Sequence, residues 1–242
     1  MTRRAFLALA LAAAAAPVMG QDAPPPEAGA TIRAGLGPAT PDRVREARLF
    51  RRAFEAQDQG RPGEAIAIYL DLVRATGDRM PEALHNLALA YRAAGRADEA
   101  LAAARRATEL ASSSATAWNT YGVTLCEAGR PEEATEAWRR AASLASTYAA
   151  PLANLAHVAH RDGLVEEARE LADRALALDA ADPRANLVRA MIAESEGDSA
   201  GALRHYDAYL GAARAHELAW ARVRAHRDRL ESALISGKRN TP

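Results

Sequence analysis

The sequence contains one cysteine, few aromatic residues and no excess of charge of either sign. Cys126 is the single cysteine among 242 residues, so an intrachain disulfide is excluded. Aromatic residues make up 5% of the chain, and no stretch sustains a period-2 alternation rich in β-branched residues, so a β-sheet is not predicted. Lysine and arginine number 31 against 31 aspartates and glutamates. The chain therefore lacks the basic surplus that general nucleic-acid binding requires.

Alanine supplies most of the hydrophobic residues, which form 49% of the sequence. Because alanine is the best helix former and has a small side chain, this composition predicts an all-α fold of closely packed helices. The sequence contains no glycine-rich phosphate loop, nucleophile elbow, HExxH motif or paired cysteines. Its acidic residues follow helix starts and exposed helix faces. We therefore expect neither catalysis nor a cofactor.

Residues 1–20 have the form of a secretory signal peptide, with Arg3 and Arg4 at the start, an apolar run over 5–16 and small residues before Gln21. The run is too short for a bilayer-spanning helix of about 20 residues. Both a Sec signal and a twin-arginine signal fit this pattern, and a retained anchor is the alternative to cleavage. No cysteine near residue 20 offers a lipoprotein anchor. We expect an exported, periplasmic protein with no integral membrane span after signal cleavage.

Residues 21–40 are rich in proline, glycine and alanine, which predicts a disordered linker. Thr40 and Pro41 then provide a helix N-cap and a proline at the first helical position. The folded part is therefore predicted to begin at residue 41.

One short turn sequence recurs along the rest of the chain. It reads GRPGEA at 60–65, GRADEA at 95–100, GRPEEA at 129–134, GLVEEA at 163–168 and GDSAGA at 197–202. Successive first glycines are separated by 35, 34, 34 and 34 residues, which indicates tandem copies of one helix–turn–helix unit. Each glycine can end the first helix in a left-handed conformation. The alanine five positions later is small enough to let the two helices cross closely.

The clearest copy spans residues 115–148, with helices predicted over 118–128 and 132–144. Its fixed positions are Trp118, Tyr121, Gly122, Leu125, Ala134, Trp138 and Ala141. This pattern resembles the tetratricopeptide repeat (TPR), a 34-residue helical hairpin with W-x2-L-G-x2-Y followed by A, F and P. The closing proline of that pattern is late or missing here. The resemblance covers five units within residues 41–216, near 46–79, 81–114, 115–148, 149–182 and 183–216.

The resemblance implies a right-handed α-solenoid of five TPR units with a C-terminal capping helix. In the fifth unit, Asn186 and Arg189 replace large apolar residues, which predicts a distorted or less stable hairpin. Residues 217–242 are assigned to the capping helix and tail. Over 217–235 an apolar stripe is typical of a helix that covers the last repeat, and residues 236–242 are expected to fray.

The resemblance also implies function, because partners of TPR arrays bind the concave face lined by the first helix of each unit. We expect a non-catalytic protein–protein interaction scaffold or adaptor that binds a peptide or helix, in assembly or maturation of a cell-envelope complex. The groove residues carried over are Phe50, Phe54, His85, Asn86, Leu89, Arg92, Asn119, Val123, Glu127, Asn154, His157, His160, Arg161 and Met191. Asn86 and Asn154 match positions that bond a peptide backbone in the family; alternatively, they stand in water. The family's full basic clamp for a peptide carboxylate is not reproduced.

Two other functions compete with the scaffold. One is a structural array that associates with further copies of itself. The other is a metal-binding or hydrolytic protein using His157, His160 and Cys126. The two histidines are spaced i, i+3 and could share a helix face, but a zinc site needs three or four ligands and no third belongs to the pair.

Overall fold

The computed structural model describes residues 40–212 and 218–239, and these residues form eleven α-helices without a β-strand. The predicted signal peptide and the linker up to residue 39 lie outside the described residues. The helices are α1 (Pro41–Asp58), α2 (Pro62–Thr76), α3 (Pro81–Ala93), α4 (Ala97–Leu110), α5 (Ala115–Glu127), α6 (Pro131–Leu144), α7 (Ala149–Arg161), α8 (Val165–Leu178), α9 (Pro183–Ser195), α10 (Ser199–Ala212) and α11 (Leu218–Arg239). They fall into two compact units, α1–α6 and α7–α11. The predicted all-α fold class is confirmed.

The same turn joins the first helix to the second in all five hairpins. Its glycine has a positive φ, between +70° and +82°, at Gly60, Gly95, Gly129, Gly163 and Gly197. In each turn the N–H of the residue after the glycine donates to the carbonyl five residues earlier, at 2.9 Å. This is the 6→1 bond of a Schellman motif, which satisfies a carbonyl at the helix end. The predicted left-handed helix ends are confirmed.

Small residues let the two helices of each hairpin cross closely. The alanines five positions after the turn glycines are all fully buried. Helices α5 and α6 approach closely, since a Cβ on Gly122 would lie 2.5 Å from Nε1 of Trp138. That indole N–H donates to the carbonyl oxygen of Asn119 at 3.2 Å. Glycine at 122 is therefore required by the buried tryptophan.

Helices α1 and α5 begin directly after a residue whose side chain caps the helix N-terminus. Thr40 accepts a hydrogen bond from the N–H of Arg43, and Pro41 occupies the first turn of α1, as predicted. Helix α5 begins at Ala115, three residues before the predicted 118, because the Ser114 side chain accepts from the N–H of Ala117 at 3.2 Å. A serine cap therefore extended the helix beyond its apolar pattern.

The fifth hairpin is regular, so the expected distortion is absent. Helices α9 and α10 contain 13 and 14 residues, the same lengths as α7 and α8. The buried amide of Asn186 donates to the carbonyls of Ala180 and Asp182, both at 3.0 Å, and its oxygen lies 3.0 Å from Nδ1 of His205. Arg189 forms an ion pair with Asp173 at 2.8 Å. Asn186 is accommodated because two carbonyls and His205 pair with its amide. Arg189 has its ion pair with Asp173, although its buried Nη1 has no hydrogen-bond partner among the described residues.

Helix α11 packs against α10 and continues to Arg239, into the tail that was expected to fray. A buried network fixes it to the fifth hairpin. Oε2 of Glu194 in α9 accepts from the Tyr206 hydroxyl of α10 at 2.9 Å and lies 2.7 Å from Nε2 of His226 in α11. Burial alone would raise the pKa of Glu194, but the bonds from His226 and Tyr206 lower it overall. One carboxylate thus joins three helices.

The fully buried tyrosines Tyr69 and Tyr206 should respond in opposite directions to replacement by phenylalanine. The Tyr69 hydroxyl has no hydrogen-bond partner among the described residues, whereas the Tyr206 hydroxyl donates to Glu194. Tyr69→Phe should raise the free energy of unfolding by up to about 1 kcal/mol, since it removes an unpaired desolvated hydroxyl. Tyr206→Phe should lower it by about 1.5–3 kcal/mol, since it removes a bond to a charged group. Urea denaturation of both variants tests this, and changes of the same sign would contradict it.

Candidate partner-binding surface

On the first helix of the α1–α6 unit, the two predicted groove phenylalanines occupy different environments. The Phe50 ring is 8% exposed and packs edge-on against Tyr69, with ring centroids 5.8 Å apart. Phe54, one helical turn later, is 39% exposed. Phe50 therefore belongs to the interior of the first hairpin, and Phe54 is the ring that α1 presents to solvent.

On α3, the predicted residues His85 and Asn86 are buried, and Leu89 is half-buried. The Asn86 amide donates to the carbonyl of Glu82 at 2.9 Å, while its oxygen has no partner among the described residues. Asn86 therefore does not stand in water, and one amide N–H is taken up within α3. Of the three side chains, Leu89 is the one that solvent reaches.

Arg92 of α3 and Glu127 of α5 form a bidentate ion pair. Nε donates to Oε2 at 2.9 Å, and the second guanidinium nitrogen donates to Oε1 at 2.8 Å. The Arg92 side chain is 5% exposed. Two parallel charge-assisted bonds fix the relative position of the first helices of neighbouring hairpins. Both residues were predicted to face a partner, and in this structure they hold each other.

The remaining predicted residue pair of the first unit, Asn119 and Val123 on α5, is buried. The backbone oxygen of Asn119 is the acceptor for Trp138. The buried side chains of α3 and α5 and the Arg92–Glu127 ion pair therefore hold these two helices in place. Phe54 and Leu89 are the predicted residues of this unit whose apolar side chains solvent reaches.

In the α7–α11 unit, Asn154 is buried and its side-chain oxygen accepts a hydrogen bond from the guanidinium of Arg184 on α9. His157 and His160 are half-buried on α7. Arg161 is exposed and donates to Asp162 at 2.8 Å. Met191 is fully buried, so it packs inside the unit.

Burial, two arginines and a neighbouring histidine act on His157. Burial has the largest effect, and Arg184, His160 and Arg161 add to it, lowering the pKa of His157 to about 3. Burial also lowers the pKa of His160. Both rings are therefore neutral at pH 7. Nδ1 of His157 is buried and has no hydrogen-bond partner among the described residues.

Sequence reasoning missed Arg184, which approaches Asn154 from 30 positions along the chain. The available signal was its place in the first turn of α9, directly after Pro183. Helix α9 is the first helix of the hairpin that follows α7, 34 residues later. The start of α9 could therefore be expected to lie near Asn154 of α7.

Among the described residues, the structure does not provide a set of metal ligands around His157 and His160. Within residues 40–212 and 218–239, no group of three histidine, cysteine, aspartate or glutamate side chains could hold a metal ion. Cys126 is half-buried on α5, in a different compact unit from His157 and His160. None of the described helices is both long and apolar enough to cross a bilayer.

Comparison with known proteins supports the hairpin pattern. The family model described as tetratricopeptide repeat matches residues 50–115, 85–149, 122–183 and 153–217. No curated protein sequence matches.

Solved structures of similar fold include PilF of Pseudomonas aeruginosa (22% identity, TM-score 0.62, covering 80% of this chain and 90% of that one). PilW, titled a widely conserved type IV pilus biogenesis factor, is 20% identical with a TM-score of 0.62 over 84% of this chain and 96% of that one. A thermophilic TPR protein of Thermus thermophilus is 21% identical with a TM-score of 0.61 over 78% of this chain and 99% of that one. At these identities the likeness shows the fold alone.

Proposed function

The chain belongs to the tetratricopeptide repeat family, and from this premise we propose that it is a non-catalytic scaffold that binds a partner peptide or helix on its first helices. Stacked hairpins present extended surfaces for partners, and a rigid surface lowers the ordering cost of binding. The observation that carries the proposal is Phe54, the one aromatic side chain among the described residues that is more than about a third exposed.

Phe54 and Leu89 offer apolar contact on consecutive first helices. Neither is fully buried by its own hairpin. Aromatic residues are enriched at the centres of protein interfaces, where a few side chains supply most of the binding energy. The Arg92–Glu127 pair holds α3 and α5 in place. We assign Phe54 and Leu89 as anchors for an apolar partner segment.

We further propose that this scaffold acts in assembly or maturation of a cell-envelope complex, in the periplasm. Two observations support this role. The sequence of residues 1–20 has the pattern of an export signal. The similar fold of PilW belongs to a protein titled a pilus biogenesis factor. The partner itself is to be identified by experiment.

Replacing Phe54 with Asp and Leu89 with Glu should abolish partner capture. Loss of an interface anchor costs at least about 2 kcal/mol, so recovery of a crosslinked partner from the native envelope should fall more than about tenfold. Circular dichroism should show unchanged helicity, because Phe54 is exposed and Leu89 is half-buried.

The matched control is Val44→Asp, which puts the same charge on another exposed apolar position of α1, 42% exposed. It should leave partner recovery unchanged. Equal loss in the control, or normal recovery with the double variant, would contradict the assigned surface. Recovery of the chain itself as the main partner, with a mass that rises with concentration in light scattering, would favour self-association instead.

A further inference from the structure

Two exposed acidic side chains lie on the same helix faces as the anchors Phe54 and Leu89. Asp58 follows Phe54 by four residues on α1, and Glu82 precedes Leu89 by seven residues on α3. These spacings place each acid on the face of its neighbouring anchor. The helices α1 and α3 contact each other. Neither carboxylate forms an ion pair with another described residue, so both remain available to a partner.

The positive side chains beside this surface already have negative neighbours. The Arg92 guanidinium of α3 is held by the carboxylate of Glu127 in the bidentate ion pair. Arg51 is exposed three residues before Phe54. The exposed Glu55 follows Arg51 by four residues, so it lies beside that arginine on α1 and offsets its charge. The surface around the two anchors is therefore negative overall.

Two side-chain amides beside the anchors lack hydrogen-bond donors. The Oε1 atom of Gln57 and the Oδ1 atom of Asn86 are buried and have no partner among the described residues. Gln57 follows Phe54 by three residues, and Asn86 precedes Leu89 by three, so each amide adjoins an anchor. Asn86 is 1% exposed, and a buried acceptor without a donor costs free energy. Both oxygens, like the two carboxylates, require N–H donors.

We propose that the partner segment that contacts Phe54 and Leu89 is basic, with arginine or lysine side chains that pair with Asp58 and Glu82. The inference rests on the scaffold function proposed above and specifies the chemistry of its partner. An amide oxygen accepts from any N–H, including one of a peptide backbone, whereas the carboxylates favour a cation. Arginine can serve a carboxylate and an amide oxygen together, because its planar guanidinium carries several N–H donors. An acidic segment would meet like charge.

The experiment measures binding of short synthetic peptides to the purified protein by fluorescence anisotropy. Each peptide contains one phenylalanine and one leucine at varied spacing, with arginine, lysine, glutamine or glutamate at the flanking positions. The arginine peptides should bind at least about tenfold more tightly than the glutamine peptides, because they gain charge-assisted bonds. The glutamate peptides should bind most weakly. Comparison of the arginine and lysine peptides identifies which cation the surface prefers.

Binding of the glutamate peptides as tightly as the arginine peptides would overturn the proposal. Absence of binding by every set of peptides would overturn it as well, since the proposed chemistry would then provide no affinity. Raising the ionic strength should weaken binding of the arginine peptides more than binding of the glutamine peptides.

The double variant Asp58→Asn/Glu82→Gln should weaken binding of the arginine peptides about tenfold and leave binding of the glutamine peptides unchanged. Both acids are exposed, so circular dichroism should show unchanged helicity. The matched control is Glu132→Gln/Glu136→Gln, which removes two exposed acids of α6 in the same unit. The control should bind the arginine peptides like the wild type. Equal weakening in both double variants would overturn the assignment to Asp58 and Glu82.

Partner capture from the native envelope separates this inference from the scaffold function. If Asp58→Asn/Glu82→Gln captures envelope partners normally and the arginine peptides have no advantage, the inference fails and the scaffold stands. If the arginine peptides bind as expected but the wild-type protein captures no partner, the surface has the inferred preference and the scaffold proposal fails.

Discussion

Replacing Trp138 with alanine should lower the free energy of unfolding by about 3–5 kcal/mol, as expected for removing a buried aromatic side chain. Trp138 is the largest fully buried side chain among the described residues. Its ring lies directly against the Gly122 backbone, and its N–H bonds to Asn119. The substitution leaves a cavity between α5 and α6 and removes the indole bond to the Asn119 carbonyl. Urea denaturation monitored by circular dichroism measures the loss.

Gly122→Ala provides the internal control for Trp138. With the tryptophan present, the added methyl group has no space, and overpacking should cost about 1–3 kcal/mol. With alanine at 138, the same methyl group enters the cavity. The double variant should therefore be more stable than the sum of the single losses indicates, and a double-mutant cycle reports that coupling. Additive losses would contradict the close packing of these two residues.

Replacing Glu194 with alanine should detach α11 from the fifth hairpin. The change removes the shared acceptor and leaves the Tyr206 hydroxyl and His226 buried without it. Leaving a buried hydrogen-bonding group without its partner costs about 1–3 kcal/mol, and two such groups lose their acceptor here. Because the damage is local to α9, α10 and α11, amide hydrogen exchange should accelerate first in α11. Unchanged exchange in α11 would contradict the role of Glu194 as its attachment.

The same carboxylate gives a pH signature. The pKa of Glu194 is lower in the folded protein than its ordinary value, so its contribution to stability is complete above the ordinary glutamate pKa. That contribution is lost as pH falls through the lower folded pKa. Protection of the α11 amides, measured relative to their intrinsic exchange rate at each pH, should therefore fall under acidic conditions. Glu194→Gln, which cannot lose a charge, should show a smaller change over the same pH range.

Features imposed by backbone geometry were predictable from sequence. A left-handed helix end accepts few residues other than glycine, and a close helix crossing accepts alanine or glycine. Both requirements hold whatever the surrounding side chains are. They repeat at each hairpin, and the turn glycines and buried alanines were therefore identified correctly.

The candidate surface was less predictable, because repeat position indicates a helix face but not its burial. Phe50 and Phe54 are one turn apart, yet the first packs on Tyr69 and the second is exposed. Tertiary packing, here by Tyr69 of the second helix, decides between these outcomes. The Arg92–Glu127 pair joins positions 35 residues apart, and no local pattern shows that two predicted ligands will satisfy each other.

The recurrence of one turn and one spacing bears on how such a protein can evolve. First helices begin at Pro81, Ala115, Ala149 and Pro183, at equal 34-residue intervals, and every hairpin closes with the same backbone bond. A gene duplication of one such interval therefore encodes a hairpin that already contains its own turn and crossing alanine. An array of this kind can gain or lose length by recombination between copies, while each copy's exposed residues diverge to suit a partner.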